Sequence, residues 1–380
     1  MNSTPIKLFF TSPLRGIVSR FYRALSNGQY PTFLLLNVTE RCNCRCTMCH
    51  IWEKKQTVEL SLEDLIRLFH DPLLNKINHL SLTGGEPFLR RDLKDIIIQA
   101  SKSLPRLKRI SFPSNGLLPS LIESVTINTL EELPDHITLK IGISLDGPRE
   151  IHNQMRGVTG AFEKAVESVK RLGSLNRPNF EVGILALVSR ENLSCLPETH
   201  ELLSSLCPRI TWTLATGAKF FNNVDKETDT NTREPDSKIL EFIEKTLIPL
   251  YPEKAYLYTK YMDHILKKVR TYPCLAGYRS AYIDTRGNLL PCHYLNEKFA
   301  LANFLKGSTT LEEAWFSTKA RQIRGTLKNH PYCRNCSNNC DFRNLIKEDF
   351  WNFFFYLITH PVVPLKVLLG KKRGQGEKNV

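Results

Sequence analysis

The sequence predicts an α/β protein: repeated βα units around a mostly parallel sheet, followed by a small cysteine-rich C-terminal unit. Three observations carry this. Short apolar runs alternate with longer amphipathic ones from Pro31 to about Thr216, the pattern of strands joined by crossover helices. The stretch KFFNNVDKETDTNTREPDSK, residues 219 to 238, is polar and reads as a linker or long surface loop. From Cys274 onward the chain is rich in cysteine and carries a hairpin signal. In order, the expected strands are Phe33–Val38, Ile77–Leu82, Arg109–Phe112, Thr138–Leu145, Phe180–Val188 and Ile210–Leu214. Helical stretches lie between them: Ser61–Phe69, opened by a Ser-x-x-Asp cap, Asp92–Ser103, and Ala161–Leu172 with apolar residues on one face. Beyond the polar stretch, Lys238–Leu250 and about Glu253–Val269 read as helices. In AYIDTRGNLLPCHY, Thr285-Arg286-Gly287-Asn288 forms the expected turn of a hairpin.

The chain has 380 residues, 42% hydrophobic and 24% charged, which suits one large globular domain or two. Its eleven cysteines would imply a disulfide framework in a short secreted chain. Here the length and the absence of a cleavable signal pattern imply a reducing cytosol, where clustered thiols bind metal more often than they pair. In that compartment the sequon Asn37-Val38-Thr39 carries no weight. The net charge of +14 fits nucleic acid, anionic lipid or an acidic substrate, but no segment joins a basic cluster to stacking aromatics.

RCNCRCTMCH, residues 41 to 50, follows the first expected strand. Cys42, Cys46 and Cys49 have the spacing C-x3-C-x2-C, and three thiolates on one loop suit three irons of a [4Fe–4S] cluster whose fourth iron stays open. Zinc remains an alternative on spacing alone, with Cys44 or His50 as fourth ligand.

Further motifs stand at the ends of later strands: LTGGEP (Leu82 to Pro87), PSNG (Pro113 to Gly116) and SLDG (Ser144 to Gly147). Together with the cysteine loop they resemble the radical S-adenosylmethionine enzymes, a family built on a (β/α)6 partial TIM barrel. The resemblance covers roughly residues 31 to 345. It implies that Gly84, Gly85 and Glu86 hold the amino group of S-adenosylmethionine. Ser144 and Asp146 would serve its ribose and methionine portions, Arg156 its carboxylate, and Asn115 of PSNG would also line the cofactor site. Val188 and Asn192, in VSREN, would lie on the adenine side. Met48 stands where the family usually has an aromatic residue, and is apolar and polarisable enough to pack on the ring. Cys44 is extra and is expected to point away as a non-ligand, and Cys195 and Cys207 are expected to be ordinary buried residues.

Cys274, Cys292, Cys333, Cys336 and Cys340 resemble the auxiliary-cluster extension of the same superfamily, in the short form called twitch rather than the fuller SPASM form. One auxiliary [4Fe–4S] cluster is expected, held by Cys274, Cys292, Cys333 and Cys336 with Cys340 as a substitute. A structural zinc site is the alternative. The resulting division is an amphipathic basic segment (1–30), the partial barrel (31–218), linker and helices (219–273), the cluster domain (274–345) and an apolar-basic tail (346–380).

The resemblance implies reductive cleavage of S-adenosylmethionine to a 5′-deoxyadenosyl radical, hydrogen abstraction, and oxidation of the substrate with help from the auxiliary cluster. A flavodoxin or ferredoxin would supply the electron. Residues 1–30 leave no room for a separate leader-binding domain, which inclines the reading toward a small lipid- or sugar-like substrate. Modification of a peptide or protein side chain is the alternative, and a zinc-binding nucleic-acid module the competitor from another class. LRGIVSRFYRAL, residues 14 to 25, reads equally as an interfacial helix or as one packed on the barrel. Pro361 and Pro364 interrupt the apolar tail, so a surface anchor fits it better than a span. The protein is therefore expected in the cytoplasm, with peripheral contact to the inner membrane face to be tested.

Overall fold

The computed structural model describes residues 29–54, 58–215, 221–222, 237–267, 269–271, 274–307, 309–327, 330–334, 336 and 356. Cys340, the basic segment before residue 29 and nearly all of the C-terminal tail lie outside the described residues. Among these, six strands run parallel: β1 (Phe33–Thr39), β2 (His79–Gly84), β3 (Arg109–Ser114), β4 (Thr138–Ser144), β5 (Phe180–Val188) and β6 (Ile210–Leu214). They lie side by side in chain order. Helices α1 (Leu62–Phe69), α2 (Leu93–Ser103), α3 (Pro119–Glu132), α4 (Arg149–Arg156), α5 (Ala161–Gly173) and α6 (Leu196–Leu206) connect them. The Ser61 cap is realised: the Asp64 amide donates to Ser61 Oγ at 3.1 Å, and the Ser61 amide to Asp64 Oδ2 at 3.3 Å. β2 begins two residues later than expected, because Ile77 closes a 3₁₀ turn over Pro72–Lys76.

Strand alternation divides the sheet into two faces. Leu34, Leu36, Leu80, Ile110, Ile141 and Ile184 point outward into one core shared with the helices. The inner, concave face is different: Ser81, Ser111, Lys140 and Glu181 stand along it half-buried. His79 and Ser111 are hydrogen-bonded at 2.7 Å, and Arg109 pairs with Glu181 at 3.3 Å. A closed barrel fills these positions with branched apolar residues. Here the concave face stays polar and open, and its upper rim is formed by the C-terminal ends of the strands.

The cysteine-rich unit is not set apart from this sheet. Strand β7 (Ser280–Ile283) pairs parallel with β1, and β8 (Asn288–Leu290) and β9 (Ala302–Asn303) follow antiparallel. The expected hairpin forms, with Gly287 at φ +77 closing a turn onto Asp284. Before it, α7 (Ser237–Phe242) continues through a π-helical stretch to Leu250, and α8 spans Ala255–Lys267. After it come α9 (Leu311–Phe316), α10 (Thr318–Leu327) and α11 (Pro331–Arg334).

Arg324 of α10 is buried between the rings of Trp315 and Tyr278, its guanidinium 4.6 Å and 5.8 Å from their centres. It donates to the carbonyls of Gly277 and Trp315. This ties the chain just after Cys274 to the helices that precede Cys333. Arg324→Met should keep the stacking volume but lose both hydrogen bonds, lowering iron bound by the C-terminal cysteines while the first loop keeps its own. Iron analysis beside Cys42→Ala would check this, and an unchanged count would show that the clamp does not order Cys274.

Candidate functional site

The first cysteine loop leaves β1 at Thr39 and crosses the top of the sheet. Arg41, Asn43 and Arg45 face outward, while Cys44 and Cys46 are buried between them and Cys42 is half-buried. Backbone bonds fix the loop from several sides. The Glu86 amide donates to Arg41 O at 2.8 Å, Arg45 N to Arg156 O at 3.0 Å, and Thr47 N to Met155 O at 2.9 Å. His50 N donates to Phe221 O at 2.7 Å, so the described part of the polar segment after β6 lies on this loop. The approach is close enough to require glycine: a β-carbon on Gly85 would stand 2.0 Å from Arg41 O, and one on Gly157 2.3 Å from Arg45 O.

The thiols are electrostatically unequal. Hydrogen bonding to Cys44 holds Cys42 below the ordinary thiol range. The same contact, aided by the Arg156 guanidinium against burial, lowers Cys46 to about 6. Cys44 is raised, because its S–H is shared with both neighbours and is buried. It therefore does not point away, as expected from the sequence, but toward Cys42 and Cys46. Cys49 is pushed up to about 12 by burial. Among the described residues, no three His, Cys, Asp or Glu side chains are placed to hold a single metal ion. An all-sulfur set on one loop, with two members already biased toward thiolate, fits an iron–sulfur cluster.

The strand-end motifs converge beside this loop. Glu86 is buried, and burial raises its carboxyl to about 7 against three donors: Asn115 N at 2.7 Å, Ser114 Oγ at 3.0 Å and Phe88 N at 3.2 Å. Its carboxylate thus ties β2 to β3, and the Gly84 and Gly85 backbone forms the surface next to the loop. Asn115 reaches the loop itself, donating to Asn43 Oδ1 at 2.6 Å. Ser144 stands half-buried at the end of β4. Asp146 is fully buried and accepts from Arg156 Nε at 2.7 Å, with Arg156 Nη1 3.9 Å from Cys46 Sγ. Arg156 thus stands between Asp146 and the cysteine loop.

Met48 packs with Leu117, Met155 and Ala161, and Leu187 of β5 joins them. Val188 does not: its side chain faces the outer core, so the strand's contribution to the Met48 group is its neighbour. Asn192 is fully buried, donating to Asp146 O at 2.8 Å and Leu187 O at 2.7 Å and accepting from Ser189 N at 3.0 Å. It clips β4 to β5 and has its side chain committed there. Cys207 is buried as expected, whereas Cys195 is half-buried with its thiol donating to Asn192 O at 3.4 Å. The sequence reading overlooked Asn43, Leu187 and His152, whose Nδ1 accepts from the Asp146 amide at 3.2 Å.

In the C-terminal unit, burial and the neighbouring thiols of Cys274 and Cys336 push Cys333 up to about 12. Cys292 accepts from Tyr294 N at 3.5 Å. Cys292, Cys333 and Cys336 pack on a buried layer that includes Ile51, Tyr282 and Tyr294, and so do Cys42 and Cys49. One apolar layer therefore serves both cysteine groups.

Residues 36–203 match the radical SAM superfamily, and residues 274–341 the iron–sulfur cluster-binding domain SPASM. Pre-heme d1 synthase of Dinoroseobacter shibae is 29% identical over 180 residues, 47% of this chain and 42% of that protein. The antilisterial bacteriocin subtilosin biosynthesis protein AlbA of Bacillus subtilis is 24% identical over 293 residues, 73% of this chain and 58% of that one. The chain thus spans about two fifths to three fifths of these relatives. The structure of anSMEcpe with bound AdoMet and a peptide superposes with a TM-score of 0.56 at 19% identity, covering 88% of this chain and 99% of that one, and shares the fold. With three cysteines on the loop after β1, motifs at the ends of the next three strands and a matched cluster unit paired to the same sheet, the chain carries a radical SAM domain over residues 36–203 and a SPASM domain over residues 274–341.

Proposed function

We propose that the chain is a radical enzyme that oxidises a side chain of a peptide or protein. The observation that carries it is the packing of both cysteine groups on one buried layer, which suits a reaction that starts an electron transfer at one site and completes it at the other. For the substrate class, support comes from the long match to the subtilosin biosynthesis protein, whose name assigns it to the biosynthesis of a bacteriocin. The neighbouring fold with a bound peptide points the same way. Of the two substrate readings, the peptide is therefore better supported than a lipid- or sugar-like compound.

Cys42, Cys46 and Cys49 would hold the cofactor's cluster, and Cys274, Cys292, Cys333 and Cys336 one auxiliary cluster. The bound cluster and S-adenosylmethionine supply a hydrogen-abstracting radical. The chain's own residues position it. Gly84 and Gly85 would take the amino end, Arg156 the carboxylate, and Ser144 the polar middle. Met48, Leu117 and Leu187 offer an apolar surface to the adenine, a role that passes from Val188 to its neighbour. Asp146 holds Arg156 charged and oriented. The open concave face leaves room for an extended substrate segment. A flavodoxin- or ferredoxin-type donor would provide the electron. Among the described residues no helix is long and apolar enough to cross a membrane.

The test is anaerobic turnover with peptides carrying deuterated side chains. Deuterium should appear in 5′-deoxyadenosine, and the peptide should lose two hydrogens. Label arriving only from small molecules such as tetrapyrroles or nucleotides would sink the peptide reading.

A further inference from the structure

The last turn of α4 grips the cysteine loop on both sides of one residue, Cys46. The Thr47 amide donates to Met155 O at 2.9 Å and the Arg45 amide to Arg156 O at 3.0 Å, so the loop satisfies two carbonyls that a helix end leaves open. Gly157 closes the helix at φ +62, and a β-carbon there would stand 2.3 Å from Arg45 O. A further tether comes from outside the helix, where Thr47 Oγ1 donates to Glu191 Oε1 at 3.0 Å. Cys46 itself is buried. Its sulfur is therefore held in a fixed place relative to the side chain of Arg156.

All three nitrogens of that side chain are directed. Nε and Nη2 lie 2.7 Å and 2.6 Å from Asp146 Oδ2, and Nη1 lies 3.9 Å from Cys46 Sγ. Asp146 is itself held: it is fully buried, its Oδ1 accepts from the Leu187 amide at 3.1 Å, and His152 Nδ1 stands 3.6 Å from its Oδ2. A guanidinium is a rigid planar fork, so fixing two nitrogens on the carboxylate aims the third at the sulfur.

We infer that Arg156 donates through Nη1 to Cys46 Sγ when that sulfur is an iron ligand, and that this contact raises the reduction potential of the first cluster. The inference rests on the cluster reading above. Reduction adds one electron, and the ligand sulfurs share the added negative charge. A cationic donor beside one of them, in a largely buried setting, favours the reduced form. Asp146 acts through Arg156 and is a positioning residue. The role is additional to the one proposed for Arg156 toward the cofactor carboxylate, since Nη1 and Nη2 each carry a second N–H.

The test is a redox titration followed by electron paramagnetic resonance on the cluster-loaded full chain without S-adenosylmethionine. The signal of the first cluster is the one that Cys42→Ala removes, and iron content checks loading. Arg156→Gln should move the first midpoint to more negative potential and leave the auxiliary midpoint in place. Arg156→Lys keeps a cation for Asp146, and with it the fold, but a single ammonium has no fork to span carboxylate and sulfur; its midpoint should fall between the other two. Arg149→Gln removes a charge from the first turn of the same helix, where Arg149 is exposed and paired with Glu163, and should change neither midpoint. An unchanged midpoint in loaded Arg156→Gln or Arg156→Lys, an equal shift of both clusters, or a shift of the same size in Arg149→Gln would overturn the assignment. If wild type shows no signal that Cys42→Ala removes, the cluster reading itself fails, and the assignment with it.

Discussion

Gly85→Ala is expected to abolish assembly of the first cluster. The added methyl would stand 2.0 Å from Arg41 O and 3.0 Å from Cys42 Cβ. Backbone cannot yield as a side-chain tip can, and Arg41 O also receives the Glu86 amide at 2.8 Å. Relief therefore requires moving Cys42 away from Cys46 and Cys49, which breaks the arrangement that three irons need. Bound iron should fall from about eight per chain to about four, and release of 5′-deoxyadenosine should vanish. Gly173→Ala is the matching control, because nothing lies within 4 Å of a β-carbon there. Full iron and normal cofactor cleavage in Gly85→Ala would show that the loop tolerates displacement and that the close approach has no role in ligand placement.

Asp146→Asn should be the most destabilising of the conservative substitutions. Burial alone would raise this carboxyl, but Arg156 at 2.6–2.7 Å outweighs it, helped by His152 and the Leu187 amide, and the carboxyl stays below the ordinary range. Removing the carboxylate leaves the guanidinium facing a neutral group in a largely buried setting. Loss of one partner of a buried pair costs about 3–5 kcal/mol, and the lower end applies because Arg156 retains 13% exposure. The pH dependence follows in sign. A carboxyl whose folded pKa lies below its unfolded one adds stability above the unfolded value, and loses it as pH falls through the folded value. Urea unfolding of wild type and variant should therefore differ most near neutrality and begin to converge as pH falls below about 4. A constant gap from neutrality to pH 3 would exclude the ion pair as its source.

The strands were legible because apolar runs and amphipathic helices alternate, and the three-cysteine loop because its spacing is dense and the strand-end motifs keep register with it. What stayed hidden depended on facing. Phe180–Val188 is a nearly continuous apolar run, so nothing in it tells which alternate residues look inward, and the residue whose side chain packs with the Met48 group is Leu187 and not Val188. That Cys44 turns toward Cys42 and Cys46 was hidden as well, because spacing along a loop does not give the direction of a side chain. His152 and Asn43 carry no sequence signal, since each acts through a partner distant in the chain or on another element. Nor did the hairpin from Ser280 to Leu290 announce that its first strand would pair with Phe33–Leu36.

That pairing bears on any attempt to work with the barrel alone. A chain cut before residue 274 would not be a smaller enzyme with its first site intact. It would turn β1 from an interior strand into an edge, uncovering unpaired amide and carbonyl groups along Phe33–Leu36, the apolar stretch that leads into the cysteine loop. Such an edge invites pairing with another chain. Insolubility of a truncated form would therefore report a lost neighbour strand, and should not be mistaken for evidence that the second cysteine group takes part in the chemistry.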